Sequence, residues 1–182
     1  MPTKLLFLSS ILFLASCTIG PDGSYVFGRG ERVKEVTSQA YSEDCGECHF
    51  AFQPGLLPER SWRIMMEPAE LEEHFGEFVE FEEPRRQELL AYIVADSAEK
   101  SLTSLSEKIL SSIPQGESPL RITETNFYTR KHEDIPAKEA VLENEKVKSF
   151  ANCEVCHEGG AEKGIYVEVD EIPGFGAYEH GH

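Results

Sequence analysis

The chain has 182 residues, enough for one ordinary domain or two small ones. Its 33 acidic and 17 basic side chains give a formal net charge of −16 at pH 7. Such a surface repels the phosphates of nucleic acid, so nucleic-acid binding is excluded and a positively charged protein partner is favoured. Apolar residues make up 40% of the chain, so two small halves would need stabilisation beyond their hydrophobic cores.

The first sixteen residues have the features of an export signal. Lys4 gives the amino-terminal end one positive charge, and residues 5–14 are apolar apart from two serines. That run is too short to span a bilayer as a helix of the mature protein. Residues 14–17, Leu-Ala-Ser-Cys, resemble the lipobox of bacterial lipoproteins, in which the cysteine is acylated and becomes the new amino terminus.

We therefore expect residues 1–16 to be a lipoprotein signal peptide and Cys17 to carry lipid. The alternative is an ordinary signal peptide with a nearby cleavage site and no role for Cys17. Cleavage before Cys17 removes Lys4 and no acid, so the mature net charge is 16 − 33 = −17. Residues 17–32 are rich in glycine and are predicted to be a flexible tether from the lipid. The protein is thus expected on the periplasmic side of a bacterial membrane, anchored by its lipid.

The expected fold class is mostly α, because apolar residues recur with helical spacing along much of the chain. Proline is favoured in the first turn of a helix and is placed accordingly in several of these segments. Helices are predicted from residue 33 towards residue 45, from Pro58 through Met66, from Pro68 to Phe75, from Pro84 through Val94, and over residues 102–113.

The boundary between two halves is predicted near residues 113–119, where two prolines and a glycine interrupt the helical pattern. The first half then covers residues 33–113 and the second half residues 114–182. In the second half we predict a strand or extended segment over residues 121–128, a helix over residues 143–157, and a loop beyond Gly159.

Four of the five cysteines form two C-x-x-C pairs, and a histidine follows each pair directly. The two sequences are Cys45-Gly46-Glu47-Cys48-His49 and Cys153-Glu154-Val155-Cys156-His157. C-x-x-C-H is the attachment signature of c-type haem. Two thiols spaced in this way form thioethers with neighbouring vinyl groups of the porphyrin, and the adjacent histidine reaches the iron. Two copies in an exported chain predict two covalently bound haem c groups.

Paired cysteines also occur in zinc sites, in redox-active dithiols and in the disulfides of exported proteins. A four-cysteine zinc site would leave His49 and His157 unexplained, and disulfides would do the same. Thioredoxin-like dithiols belong to a βαβ context that the sequence does not predict. Haem attachment accounts for both the cysteines and the histidines.

Each iron needs a sixth ligand unless one position stays open for a small molecule. His74 lies on the apolar side of its predicted short helix, where the alternative is a buried, hydrogen-bonded histidine. His132 lies in a charged segment, where histidines are usually exposed. The second signature is so close to the carboxyl terminus, however, that its ligand must come from upstream or from the tail. The equal spacing of His49 to His74 and of His132 to His157 favours these local pairs over crossed pairs.

Other ligands are less favoured. Met65 and Met66 could ligate iron, as methionine does in some cytochromes c, but beside Trp62 they are more readily explained as core residues. His180 and His182 end a glycine-rich tail and are expected in a mobile terminus, with substitute ligation as the alternative.

The chain resembles the bacterial dihaem cytochrome c family. The matching stretches, which cover most of the chain from Tyr41 to His157, are residues 45–58, 60–62, 74–77, 121–125, 132–136 and 152–157. The resemblance implies two haem-bearing halves and bis-histidine ligation. It also implies a role as redox partner of another haem protein, either an oxygen-binding cytochrome or a membrane cytochrome b. Two features depart from the family: the lipobox, and Phe78 and Val79 where small polar residues are expected.

These features favour an electron carrier with two six-coordinate irons and long loops around the haems, not an enzyme. The alternatives, a dihaem peroxidase or reductase and a haem-based gas or redox sensor, need one openable iron. The histidines suffice to close both irons, the chain is short for an enzyme with a substrate pocket, and no separate acid–base group is visible. The net charge predicts a partner protein with a basic face.

Overall fold

The computed structural model describes residues 31–177, which form a mostly helical fold, as predicted. Cys17, the signal peptide, most of the tether and the two tail histidines lie outside the described residues. Within residues 31–177, no helix is long and apolar enough to cross a membrane.

The helices are short and are separated by turns. In chain order they are α1 (Gln39–Cys45), α2 (Glu59–Met65), α3 (Pro68–Glu72), α4 (Glu83–Ala95), α5 (Ala98–Ser101), α6 (Ser104–Ser112), α7 (Asn126–His132) and α8 (Cys153–Cys156). Single 3-10 turns lie at Pro54–Leu56, Ile122–Glu124 and Ala161–Lys163, and a π-helical segment lies at Ala137–Leu142.

Four strands of two residues each form two small antiparallel pairs: β1 (Glu31–Arg32) with β2 (Ile165–Tyr166), and β3 (Glu171–Ile172) with β4 (Gly176–Ala177). The β1–β2 pair is continued by the Val33 amide, which donates to the Gly164 carbonyl over 2.8 Å. Gly164 has φ +65, and a Cβ atom there would lie 2.3 Å from the Val33 carbonyl oxygen, so only glycine fits. The last two residues of the segment assigned to the tether are therefore held against the carboxyl-terminal part of the chain.

Three hydrophobic clusters form the core. The first is built by α1, α2, α3 and α4 and the second around α6, while the third lies in the second half. Their buried members are Tyr41, Leu57, Trp62, Met66, Leu71, Leu89 and Ile93; Val33, Leu56, Leu105, Ile109 and Ile113; and Ala140, Val141, Val147 and Ile172. Trp62 and Met66 are core residues, as predicted, and the Trp62 indole donates to the Pro54 carbonyl over 2.7 Å.

The helix predicted over residues 143–157 is wrong except for its last turn. Only α8 is helical, and Lys148 has the positive φ of 64° that no helix contains. The Asn152 side chain donates to the Val147 carbonyl over 2.7 Å, and the Asn144 side chain donates to the Pro173 carbonyl over 2.8 Å. Asparagine side chains compete for backbone groups in this way and so favour turns over helix.

Two further segments differ from the prediction. Residues 121–128 form a 3-10 turn and the start of α7, not an extended segment, because the Thr125 side chain caps α7 by accepting from the Tyr128 amide. The helix predicted over residues 102–113 begins only at Ser104. Leu102 has φ +50 and is 82% exposed, and Thr103 caps α6.

Gln53 ties the loop after the first C-x-x-C-H to the second half of the chain. Its side chain is completely buried. Its amide nitrogen donates to the Ala161 carbonyl over 2.5 Å, and its amide oxygen accepts from the Tyr166 hydroxyl over 2.7 Å. Both polar ends of one buried side chain therefore bind residues that follow the second C-x-x-C-H.

Replacing Gln53 by methionine should lower the free energy of unfolding of the haem-loaded protein by about 1–3 kcal/mol, because the Tyr166 hydroxyl and the Ala161 carbonyl lose their partner. Tyr166→Phe should also destabilise, by leaving the Gln53 amide oxygen unpaired. The double variant should lose less free energy of unfolding than the sum of the two single losses. Each single variant already breaks the Gln53–Tyr166 hydrogen bond, so the two losses share this term. Guanidinium unfolding curves measure this, and strictly additive losses would contradict it.

Candidate functional site

The first C-x-x-C-H begins at the end of α1. The Ser38 hydroxyl caps this helix by accepting from the Tyr41 amide, and Cys45 is its last residue. Gly46 then turns the chain, and a Cβ atom at that position would lie 2.2 Å from the Ser42 carbonyl oxygen. Glycine is thus required for the turn that carries Cys48 and the histidine after it out to the surface.

His49 and His74 face each other across the first site. Their ring centroids lie 6.2 Å apart and their planes differ by 17°. The Nδ1 atom of His49 lies 2.8 Å from the Phe50 carbonyl oxygen. A hydrogen bond to a carbonyl makes Nδ1 the donor and leaves Nε2 free to bind a metal. His74 follows α3, where its amide donates to the Leu71 carbonyl over 3.2 Å.

The second site repeats this arrangement with residues from α7 and α8. Cys153 begins α8 and His157 follows its end, while His132 is the last residue of α7. The rings of His132 and His157 have centroids 6.4 Å apart and planes that differ by 85°. Their separation matches that of the first pair, whereas their relative rotation does not.

Aromatic neighbours hold both histidines of the second site. The Tyr128 ring stacks on His132 with centroids 3.9 Å apart, and the Tyr128 carbonyl lies 2.9 Å from Nδ1 of His132. The Tyr166 ring meets His157 edge-on, with centroids 5.3 Å apart. Tyr166 is the residue that Gln53 binds, so the loop after the first motif supports a histidine of the second.

The separation of each histidine pair is that of two imidazoles on one metal ion. A metal–imidazole bond is about 2.0 Å long and the ligating nitrogen lies about 1.2 Å from the ring centre, which predicts ring centres about 6.4 Å apart. The two measured separations, 6.2 Å and 6.4 Å, agree with this value. The residues present therefore fit one iron between the two imidazoles of each histidine pair.

The structure brings together the locally spaced histidines. Its ring contacts join His49 to His74 and His132 to His157. Met65 is packed against the first core cluster. The four cysteines of the two motifs are not in disulfides.

A largely apolar cavity surrounds the second histidine pair. It is partly open to solvent and has both motif cysteines, Cys153 and Cys156, in its wall. The apolar side chains that line it come from α6, α7, the π-helical segment and the turns before α8, among them Leu105, Ile109, Phe127, Val141, Val147 and Phe150. An apolar wall with two thiols and two imidazoles suits a porphyrin.

Burial favours the neutral form of two ligand candidates, His157 and His74. It lowers the pKa of His157 to about 4, with His132 acting in the same direction and the Val167 backbone opposing it. Burial, followed by His49 and then Arg121, also lowers the pKa of His74. Neutral imidazole is the form that binds metals.

Burial likewise favours the neutral form of one cysteine in each motif, Cys45 and Cys153. Burial raises the pKa of Cys45 to about 12, with Asp44 adding to the effect and Arg85 opposing it. Burial also raises the pKa of Cys153 to about 12, and Glu154 adds to this. Neutral sulfur is compatible with a thioether beside an apolar macrocycle.

Sequence reasoning missed three side chains that hold the site. Tyr128 could have been found, because it lies one helical turn before His132 and so shares its face. Gln53 and Tyr166 had no local signal, since they are far apart in sequence and meet only through the packing of the two halves.

A model of the dihaem cytochrome c family matches residues 41–166. The chain belongs to this family. No curated protein sequence matches it closely enough to count as a relative. Two bound haem c groups are the cofactors of this dihaem cytochrome, and its role is that of a haem electron carrier.

Solved structures of dihaem cytochromes share the fold. One is the diheme cytochrome c from Rhodobacter sphaeroides, with 37% identity, a TM-score of 0.62, and coverage of 73% of this chain and 99% of that one. Another is the diheme cytochrome c from Shewanella baltica OS155, with 34% identity, a TM-score of 0.60, and coverage of 78% of this chain and 97% of that one.

The different rotations of the two ligand pairs should be visible in the electron paramagnetic resonance spectrum of the oxidised protein. Near-parallel imidazoles split the iron dxz and dyz orbitals and give a rhombic low-spin signal, whereas perpendicular imidazoles leave them nearly degenerate and give one very large g value. We expect one signal of each kind, with equal integrated intensities, because the planes differ by 17° at one site and 85° at the other. Two rhombic signals would contradict the rotation at the second site.

Proposed function

We propose that this dihaem cytochrome transfers electrons through two bis-histidine irons and binds no substrate at either. Cys45 and Cys48 attach the first haem, with His49 and His74 as its axial ligands. The observation that carries this proposal is the pair of facing imidazoles at each site, with 6.2 Å and 6.4 Å between ring centroids.

The second haem is held in the same way by Cys153 and Cys156, with His132 and His157 as axial ligands. Histidines that are already positioned on both faces leave neither iron an open coordination site, which a peroxidase, a reductase or a gas sensor needs. Iron supplies the one-electron chemistry. The protein supplies ligands that stay in place during the change of oxidation state.

Second-sphere contacts keep these ligands in place. The Phe50 carbonyl binds Nδ1 of His49 and the Tyr128 carbonyl binds Nδ1 of His132, so both imidazoles present Nε2. Tyr128 and Tyr166 restrict rotation of the rings at the second site. A ligand sphere that does not rearrange suits rapid electron exchange.

Ligand replacement tests this function. His74→Ala should convert one of the two low-spin irons to a high-spin form that binds carbon monoxide, and His132→Ala should do the same at the other site. Haem content should stay at two per chain, because the thioethers remain. The rhombic signal should disappear in the first variant and the large-g signal in the second.

The matched control removes the two histidines outside the described residues, as His180→Ala with His182→Ala. It should leave both low-spin signals unchanged. Carbon monoxide binding by the unmodified reduced protein would contradict closed irons and favour an enzyme or a sensor. Loss of both signals in either single variant would contradict local pairing.

We also propose that Cys17 is acylated and anchors the cytochrome on the periplasmic side of the membrane. The support is the Leu-Ala-Ser-Cys sequence after a short apolar run. Several acyl chains hold a protein at a membrane where one would not.

Replacing Cys17 by alanine should move haem-stained protein from the membrane fraction to the soluble fraction without changing its haem content. Cys17→Ser is the matched variant, since it keeps the size of the side chain and loses the thiol. Unmodified protein that is already fully soluble would contradict the anchor.

The partner is proposed to be a redox protein with a basic face, and another haem protein is the favoured kind. The support is the net charge, −17 after cleavage before Cys17 (16 basic against 33 acidic side chains). Opposite charges accelerate the encounter of redox proteins, whose interfaces are small and short-lived.

A further inference from the structure

Acidic side chains are dense in the sequence on either side of His74, the ligand proposed for the first haem. Residues 67–83 contain eight glutamates and no lysine or arginine, and all eight are exposed. His74 lies in the middle of this segment. The proposed basic partner would therefore find the strongest local complement at the first haem.

Exposed aromatic side chains accompany these acids. Phe78 is 68% exposed and Phe75 is 44% exposed. The Phe75 ring lies 4.8 Å from the ring of His74, and its backbone has the positive φ of 53° that is uncommon for a bulky residue. Aromatic side chains are enriched at the centres of protein interfaces, where they bury a large area at low entropic cost.

The acids near His74 are available to a partner. Glu83 binds Arg86 within α4, but no salt bridge in the described part of the chain involves Glu72, Glu73 or Glu77. Glu77 is two residues after Phe75, in a tight turn in which its amide donates to the His74 carbonyl over 3.0 Å. Carboxylates without a salt bridge in the described part of the chain therefore flank Phe75 and Phe78 in the sequence. One cation is also present, since the guanidinium carbon of Arg121 lies 3.9 Å from the centroid of the Phe75 ring.

The surface near the second haem has a different charge pattern. A groove beside its cavity is lined by Lys108, Arg130 and Lys131 together with Glu31 and Glu107. Lys108 binds Glu31 over 2.8 Å, and Lys131 lies 3.6 Å from the same carboxylate. A basic partner has less to gain at this surface than at the first haem.

We propose that the surface formed by Glu72, Glu73, Phe75, Glu77 and Phe78 is the docking face through which the first haem exchanges electrons with a basic redox protein. The partner presents lysine and arginine side chains around an apolar patch that covers Phe78. This inference rests on the proposed electron-transfer function and adds to it the haem at which exchange occurs.

The test compares two variants with the same change of net charge. The first is Glu72→Gln with Glu73→Gln and Glu77→Gln. The control is Glu139→Gln with Glu145→Gln and Glu162→Gln, three exposed glutamates of the second half. The probes are a basic and an acidic monohaem cytochrome c, and the measurement is the second-order electron-transfer rate by stopped flow.

With the basic probe at low ionic strength, the first variant should react about three- to tenfold more slowly than the unmodified protein, and the control should change by less than about twofold. The difference should shrink as ionic strength rises to about 0.15 M, where the Debye length is about 8 Å. Equal slowing of both variants would overturn the docking face, because only net charge would then matter.

A second pair of variants tests the apolar centre. Phe78→Ala should slow the reaction at both low and high ionic strength, whereas Leu142→Ala, which removes a side chain of comparable exposure at 62%, should not. Phe78→Ala without effect, or an unmodified protein that reacts faster with the acidic probe, would overturn the proposal.

Failure of this proposal can be told apart from failure of the function. The spectrum of each variant is recorded before its rate is measured. Two unchanged low-spin signals with unchanged rates would overturn the docking face alone. Carbon monoxide binding by the unmodified protein would overturn the proposed function. The rate comparison would then test the docking face independently.

Discussion

The structure depends on a separation of a little over 6 Å between the paired imidazoles, which is the distance that one iron bound by both histidines would require. Each pair needs one histidine from a C-x-x-C-H motif and one from a separate element: the turn after α3 for His74 and the end of α7 for His132. The short helices, and the caps at which α1, α6 and α7 begin, serve to hold these elements at that distance. A core this small gains further stability from the covalent cofactors.

The two haem sites share structural support and are not independent modules. Gln53 follows the first motif, yet its buried amide binds the Ala161 carbonyl and the Tyr166 hydroxyl, and Tyr166 packs on His157. A disturbance in the first loop can therefore reach a ligand of the second haem through one side chain. The ring rotations nonetheless differ, so two irons held by these pairs would be electronically distinct.

Electrostatics adds a second asymmetry. The large negative charge is not spread evenly, because eight exposed glutamates lie between residues 67 and 83 while Lys108, Arg130 and Lys131 lie together near the second haem. In an acidic protein, such a distribution gives a basic partner a preferred direction of approach. Exposed aromatic residues beside His74 supply the apolar contact that charge alone does not.

The sequence by itself determined the cofactors, the family and the mostly helical class. The attachment motif works within five consecutive residues, and caps and prolines act within one helical turn, so both are visible locally. Equal spacing in the sequence favoured the local histidine pairs, but only the tertiary structure decided how the rings are rotated and that Gln53 meets Tyr166. It also decided against a helix before α8, where Asn144 and Asn152 bind backbone carbonyls instead. These outcomes depend on contacts between distant residues, which local spacing cannot encode.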